Sequence, residues 1–203
     1  GIFMKNVLKS VIVLLAIFVV GTLQAQDASK ALKQGDKVKD FTLKNAKGEE
    51  VNLSVLLKKG PVVLTWYRGG WCPYCNLALK QLQKELAQIK EQGAMLVALT
   101  PELPDHSLTT QEKNALEFEV LTDLHNEVAR SYGLVFKLDP QTAERYESML
   151  HLSAHNGTDS SELPIPATYV VDTDGTIRYA YVNPDYKQRA DAKTVVEELK
   201  KLK

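Results

Sequence analysis

The stretch Pro61-Val62-Val63-Leu64-Thr65-Trp66-Tyr67-Arg68-Gly69-Gly70-Trp71-Cys72-Pro73-Tyr74-Cys75 passes from a β-branched and aromatic run to a helical pattern. It contains both cysteines of the 203-residue chain. The run 61–67 follows Lys-Lys-Gly and reads as a buried central strand. If a helix begins at the cysteines, positions i and i+3 share a face one turn apart, within reach of a local disulfide. Pro73 suits the first helical position, where its missing N–H would be unpaired in any case.

Outward from this point the pattern alternates. Leu79, Leu82, Leu86 and Ile89 recur at spacings of three and four, with Gly93 as a stop, which predicts an amphipathic helix over 73–92. Residues 95–99 read as a second buried strand, parallel to the first through a right-handed crossover. A helix near 107–117, a strand 118–121 and a helix near 126–132 continue the order. Upstream, short strands at 40–43 and 51–53 flank a turn at 45–48. Downstream, 140–152 reads as an additional helix and 153–162 as a polar loop. Strands 167–171 and 176–182 form an antiparallel hairpin about Asp172-Thr173-Asp174-Gly175, and a helix over 190–202 closes the chain. The fold class is α/β, a central mixed sheet flanked by helices.

Composition describes one ordinary domain: 44% of residues are hydrophobic, and 25 basic side chains balance 25 acidic ones. No basic excess or run of like charge suits nucleic acid, which is not expected as a partner. The N-terminus differs. Lys5 and Lys9 precede ten apolar residues, 11–20, and a short polar segment ends in Ala25. The apolar run is shorter than a spanning helix requires, so residues 1–25 are expected to be an export signal, with an uncleaved membrane anchor as the alternative. Residues 26–34 read as a polar leader and 35–203 as the domain. Export implies a periplasmic or secreted location, where two cysteines are usually a staple. A domain of this size gains little from so small a loop, which favours a reversible, working disulfide.

Cysteine attacks as the thiolate, and a helix N-terminus lowers its pKa. The expected division is Cys72 as the exposed attacking sulfur and Cys75 as the resolving thiol. Beside a dithiol, Trp71 is expected to shape a docking surface, and Arg68 either favours the thiolate or is a solvated strand-end residue. Glu102 is a possible proton acceptor for Cys75, or a loop carboxylate. His106, His125, His151 and His155 show no ligand spacing, and Asp172 and Asp174 lack the further oxygen ligands that calcium needs, so no metal is expected. Two thiols carry the electrons, and no cofactor is expected.

Trp-Cys-x-x-Cys after an apolar strand resembles the active site of the thioredoxin-like superfamily, and the enclosed Pro73-Tyr74 is the glutaredoxin dipeptide. Leu163-Pro164-Ile165-Pro166-Ala167-Thr168 resembles that superfamily's cis-proline loop, implying that Pro166 faces the dithiol, with 140–162 a helical insertion before it. Gly35 to Leu43, and Asp123 with Ala129 to Leu134, resemble the peroxiredoxin-like (AhpC/TSA, redoxin) branch. Peroxiredoxins place a proline seven residues, and a threonine or serine three residues, before the peroxidatic cysteine. From Cys75 those positions are Arg68 and Cys72; from Cys72 they are Thr65 and Gly69. The branch's arginine is expected near the start of strand 167–171, where Pro166 stands. The resemblance therefore implies a peroxiredoxin-like protein with its second cysteine in the peroxidatic register and a thioredoxin-type Cys-x-x-Cys. Thiol–disulfide exchange with protein partners is the leading expectation. Reduction of hydroperoxides is the runner-up, and a non-enzymatic metal-binding or structural domain the third reading.

Overall fold

The structure, a computed structural model, describes residues 27–203. The expected export signal, residues 1–25, lies outside them. Among the described residues no helix is long and apolar enough to cross a membrane.

The strands are β1 (Thr42–Asn45), β2 (Glu50–Asn52), β3 (Val62–Trp66), β4 (Met95–Thr100), β5 (Glu119–Thr122), β6 (Val135–Lys137), β7 (Glu162–Pro164), β8 (Ala167–Val171) and β9 (Ile177–Val182). The helices are α1 (Leu53–Leu57), α2 (Pro73–Lys84), α3 (Leu86–Glu91), α4 (Pro104–Asn114), α5 (Glu127–Ser131), α6 (Pro140–Leu150), α7 (Leu152–Asn156) and α8 (Ala192–Lys200). Seven strands form one mixed sheet in the order β2-β1-β5-β4-β3-β8-β9. The β3–β4 and β4–β5 pairs are parallel; β3–β8 and β8–β9 are antiparallel.

Side chains alternate across the strands and divide the core between the two faces. Val63, Leu96, Ala98, Val120 and Val170 pack under α2, α3 and α8. Val62, Leu64, Trp66, Val97, Leu99, Leu121, Tyr169 and Val171 face the other way, against α1 and Ala129, Tyr132 and Leu134. The segment before the domain joins this second face. Leu32 donates its N–H to Tyr132 O and accepts from Tyr169 Oη, so the end of the expected polar leader is docked on the sheet.

Three expectations need correction. The helix predicted over 73–92 is two helices, because Glu85 leaves helical geometry at φ −94°, ψ 2° and its N–H bonds back three residues to Leu82 O. The apolar spacing survives the break, and Leu82, Leu86 and Ile89 remain on one buried face. Residues 153–162 are not a loop throughout. His151 turns left-handed and ends α6, α7 follows, and β7 pairs antiparallel with β6 as a separate two-stranded ribbon. A five-residue helix and three-residue strands are too short to leave a period in the sequence. Finally, there is no cis peptide bond among the described residues, so the bond before Pro166 is trans. The chain makes no tight turn there: Ile165 N–H bonds to Leu134 O and β8 begins at Ala167.

Candidate active site

The loop between β3 and α2 is built for close approach. A Cβ on Gly70 would lie 1.9 Å from Thr110 Oγ1, and one on Gly69 would lie 2.2 Å from Trp71 Nε1 and 2.9 Å from Glu102 Oε1. Only glycine fits either position. Gly70 is then held from both sides: its N–H donates to Glu102 Oε2 (3.0 Å), and its carbonyl accepts from Asn76 Nδ2 (2.7 Å). Asn114 of α4 in turn donates to Asn76 Oδ1 at 2.8 Å.

That bracing delivers Cys72 to the N-cap of α2, extended at φ −90°, ψ 116°, with Pro73 at the first helical position. Its sulfur therefore lies at the helix start, where the first backbone N–H groups lack partners within the helix. Its thiol is pushed down to about 6, chiefly because the Cys75 thiol donates to it, against the cost of burial. The Cys75 N–H and the charges of Arg68 and Arg189 add to the effect. Burial drives the Cys75 thiol the opposite way, well above its ordinary value. The pair therefore holds one ready thiolate and one retained proton.

Cys72 is not the exposed sulfur that the sequence suggests. It is 2% exposed and Cys75 is 0% exposed, both as free thiols. Tyr67, Trp71, Tyr186 and Ala190 pack in the cluster that contains them. Within the motif, Pro73 and Tyr74 face solvent, Tyr74 being stacked edge-on against Tyr186 at 5.8 Å. Trp71 is half-buried against Tyr146 of α6, so Tyr74 rather than Trp71 offers the open aromatic surface.

Two arginines flank the thiols. Arg68 is not a solvated strand-end residue: it is 2% exposed, donates from Nη2 to Tyr146 Oη (2.8 Å), and lies 4.2 Å from the Tyr186 ring centroid. Arg189, on the segment between β9 and α8, donates from Nη2 to Cys75 Sγ at 3.2 Å. Sequence reasoning missed Arg189, since nothing local ties a basic residue after β9 to a cysteine 114 positions earlier. Pro166 does reach the site despite its trans bond. It lines a narrow cleft with Cys75, Thr65, Tyr181 and Arg189.

Glu102 is buried, and its hydrogen bonds go to Gly70 N–H and His155 Nδ1 (3.2 Å), none to Cys75; it anchors the loop. His155 stacks on His106 at 3.9 Å, with neither His125 nor His151 in the stack. Among the described residues no group of three or more His, Cys, Asp or Glu side chains could hold a metal ion. Asp172 and Asp174 cap the β8–β9 turn and pair with Arg178; Asp174 is held at about 2 by its hydrogen bonds to Thr176.

Comparison with known proteins places this geometry among thiol enzymes. The model of the AhpC/TSA family matches residues 34–180. A putative peroxiredoxin, bcp, of Helicobacter pylori is 27% identical over 168 residues, covering 83% of this chain and 98% of that protein. The thiol-disulfide oxidoreductase ResA of Halalkalibacterium halodurans is 29% identical over 105 residues, which cover 50% of this chain and 57% of ResA's length. The crystal structure of peroxidoxin BcpB from Mycobacterium tuberculosis shares the fold with a TM-score of 0.69 at 24% identity, covering 85% of this chain and 99% of that one.

Proposed function

The chain belongs to the AhpC/TSA family of thiol oxidoreductases, and within it we propose that this protein is a thiol–disulfide oxidoreductase working through Cys72 and Cys75. The observation that carries the reading is the placement of the two sulfurs: Cys72 stands at the N-cap of α2 and Cys75 is buried one turn in, a setting that pushes the Cys72 thiol down to about 6 and the Cys75 thiol up.

The Cys72 thiolate attacks one sulfur of a partner disulfide. The partner's S–S bond breaks, and the departing thiolate takes a proton from solvent. The product is a mixed disulfide on Cys72. Cys75 then loses its proton and attacks Cys72 Sγ, which breaks the mixed disulfide and releases the second partner thiolate. Two electrons have passed from the protein dithiol to the partner; the same steps run in reverse oxidise a partner dithiol, the direction being set by the partner's reduction potential. Arg189, 3.2 Å from Cys75 Sγ, supports this second step by favouring the charged sulfur. Because both sulfurs are buried, docking must part Tyr186 and its neighbours from the dithiol. The apolar run at 11–20 supports extending the proposal to export. N-terminal sequencing of protein from an extracytoplasmic fraction should begin at Gln26; retention in the cytoplasm with residues 1–25 intact would contradict it.

Arg189 also supports a second reading, thiol peroxidase. There Cys75 thiolate attacks a hydroperoxide oxygen, alcohol leaves, and Cys72 thiolate displaces hydroxide from the resulting sulfenic acid to close the disulfide. The cleft beside Cys75 has room for about one water molecule, too little for a protein disulfide to reach this sulfur. Stopped-flow tryptophan fluorescence separates the readings, since Trp71 adjoins the dithiol. The reduced protein is mixed with hydrogen peroxide and, separately, with a small disulfide-bonded protein. Rapid oxidation by the protein disulfide is expected. Rapid oxidation by peroxide alone overturns the leading reading in favour of the second.

A further inference from the structure

The dithiol is closed off by a segment that the rest of the fold barely holds. Residues 183–191 run from the end of β9 to the start of α8. At the β9 end, Asn183 N–H reaches Pro166 O at 3.5 Å; at the other end, Asp191 caps α8 through Thr194 N–H. Between these points the backbone bonds only within the segment. Asp185 N–H donates to Asn183 Oδ1, Lys187 N–H to Asp185 Oδ1, and Gln188 N–H to Asp185 O. Asp185, Lys187 and Gln188 are exposed. A stretch with exposed, local backbone bonding opens at much lower cost than the sheet beside it.

Two side chains of the segment turn inward, and both land on the active site. Arg189 Nη2 donates to Cys75 Sγ at 3.2 Å, and Arg189 and Ala190 wall the narrow cleft beside that sulfur. Tyr186 lies across the residues that bracket Cys72. Its ring centroid is 4.2 Å from the Arg68 guanidinium carbon, and the ring stands edge-on to Tyr74 at 5.8 Å. It also packs on the cluster that holds both thiols, where Cys72 is 2% exposed. Contacts of these two kinds, cation on ring and ring on ring, are individually weak, and a docking surface can replace them.

We propose that the β9–α8 segment is a lid latched by the Tyr186 ring, which keeps small disulfides from the Cys72 sulfur and yields to a protein partner that covers the opened face. A small disulfide touches little beyond the sulfurs, so it gains nothing from the open state and cannot shift the lid toward it. A protein that docks against the freed Tyr186 ring binds the open state alone and draws the equilibrium that way. Tyr74 and, one turn further along α2, Leu77 are exposed and give such a partner an apolar edge to meet. Tyr186 is thus a specificity-determining residue that governs access, and the exchange steps at the two sulfurs stay as described. The inference rests on reading Cys72 as the attacking sulfur.

The test uses the reduced full protein at pH 8, above the Cys72 midpoint, and measures alkylation of Cys72 by iodoacetamide and oxidation by glutathione disulfide. Tyr186→Ala is expected to raise both rates about tenfold, the effect of losing one aromatic pair and one cation–π contact. The pH midpoint of alkylation should stay at the parent's value, which separates access from a change in the sulfur itself. Tyr186→Phe keeps the ring and should restore the parental rates. Tyr74→Ala, which removes one side of the latch, should give a smaller rise. With insulin as the disulfide, the saturating rate of Tyr186→Ala should stay within about threefold of the parent, because a docked partner has already opened the lid. Small-reagent rates for Tyr186→Ala no more than about twofold above the parent overturn the proposal. So does a full rise in Tyr186→Phe, a displaced midpoint, or a gain at saturating insulin as large as that with glutathione disulfide. If Tyr186→Ala fails to fold, Tyr74→Ala decides alone, and parental rates for it overturn the proposal. Should Cys72→Ser abolish exchange while Tyr186→Ala moves neither small-reagent rate, only this inference fails. Should exchange survive Cys72→Ser, the underlying reading fails with it.

Discussion

Cys72 owes its acidity to neighbours within one helical turn, the Cys75 thiol and backbone N–H, with Arg68 and Arg189 as more distant support. Its alkylation rate should therefore rise through a midpoint near pH 6, read by iodoacetamide kinetics on the reduced protein, while Cys75 stays unreactive up to a much higher pH. The same shift is linked to stability. A thiol at about 6 in the folded state, against 9.0 in its unperturbed form, leaves the unfolded chain binding more protons between those values. The reduced protein should become more stable from pH 6 to pH 9 relative to Cys72→Ser, as urea midpoints would show; a gap that stays flat or narrows over that window refutes the assignment. Cys75 works in the opposite direction only above 9.0, where its raised pKa begins to cost stability. Arg189→Ala should prolong the mixed disulfide on Cys72, measured by acid quenching, and leave the first attack within about threefold. That attack belongs to Cys72 rather than to Arg189's partner.

At the scale of elements, the decisive join is strand, glycine loop, helix. Gly70→Ala would drive a Cβ into Thr110 Oγ1 and lift the loop off α4, breaking the hydrogen bonds that seat Cys72. A loss of about 1–3 kcal/mol in chemical unfolding, with a raised Cys72 pKa, is the expected result. This join was legible because its signals are local: a β-branched run, a proline at the first helical position, and leucines at helical spacing. The break at Glu85 was not, since Leu82, Leu86 and Ile89 keep their phase across it and periodicity alone cannot see a one-residue change of backbone. The β6–β7 ribbon was also hidden, because each strand is three residues long and its partner lies far away in sequence. The trans bond at Pro166 shows a third limit. Its position beside Cys75 followed from the motif, but the isomer depends on the path from β7 into β8.

At the scale of the molecule, the sheet sets the stage and late segments complete the site. β3 and β4 lie at its centre, with β8 closing on the other side of β3, so the loop after β3 emerges between well-packed neighbours. The apolar pattern of those strands revealed the α/β class. It could not reveal that Tyr146 and Arg189, 78 and 114 positions from their partners, would lie against Arg68 and Cys75. The same long-range packing buries Cys72, which helix-end reasoning had left exposed. The frame itself depends on both cores: Leu199→Ala on α8, a buried position in the cluster that also holds the cysteines, should cost about 2–5 kcal/mol in urea unfolding.

The central claim is the division of labour between the two sulfurs. Trapping tests it directly: Cys75→Ser and Cys72→Ser variants are reduced, mixed with a small disulfide-bonded protein, acid-quenched, and resolved by mass spectrometry. Rapid accumulation of a mixed disulfide on Cys72 in Cys75→Ser, with little or none in Cys72→Ser, is the predicted result. Faster capture by Cys75 in Cys72→Ser than by Cys72 in Cys75→Ser would contradict the account.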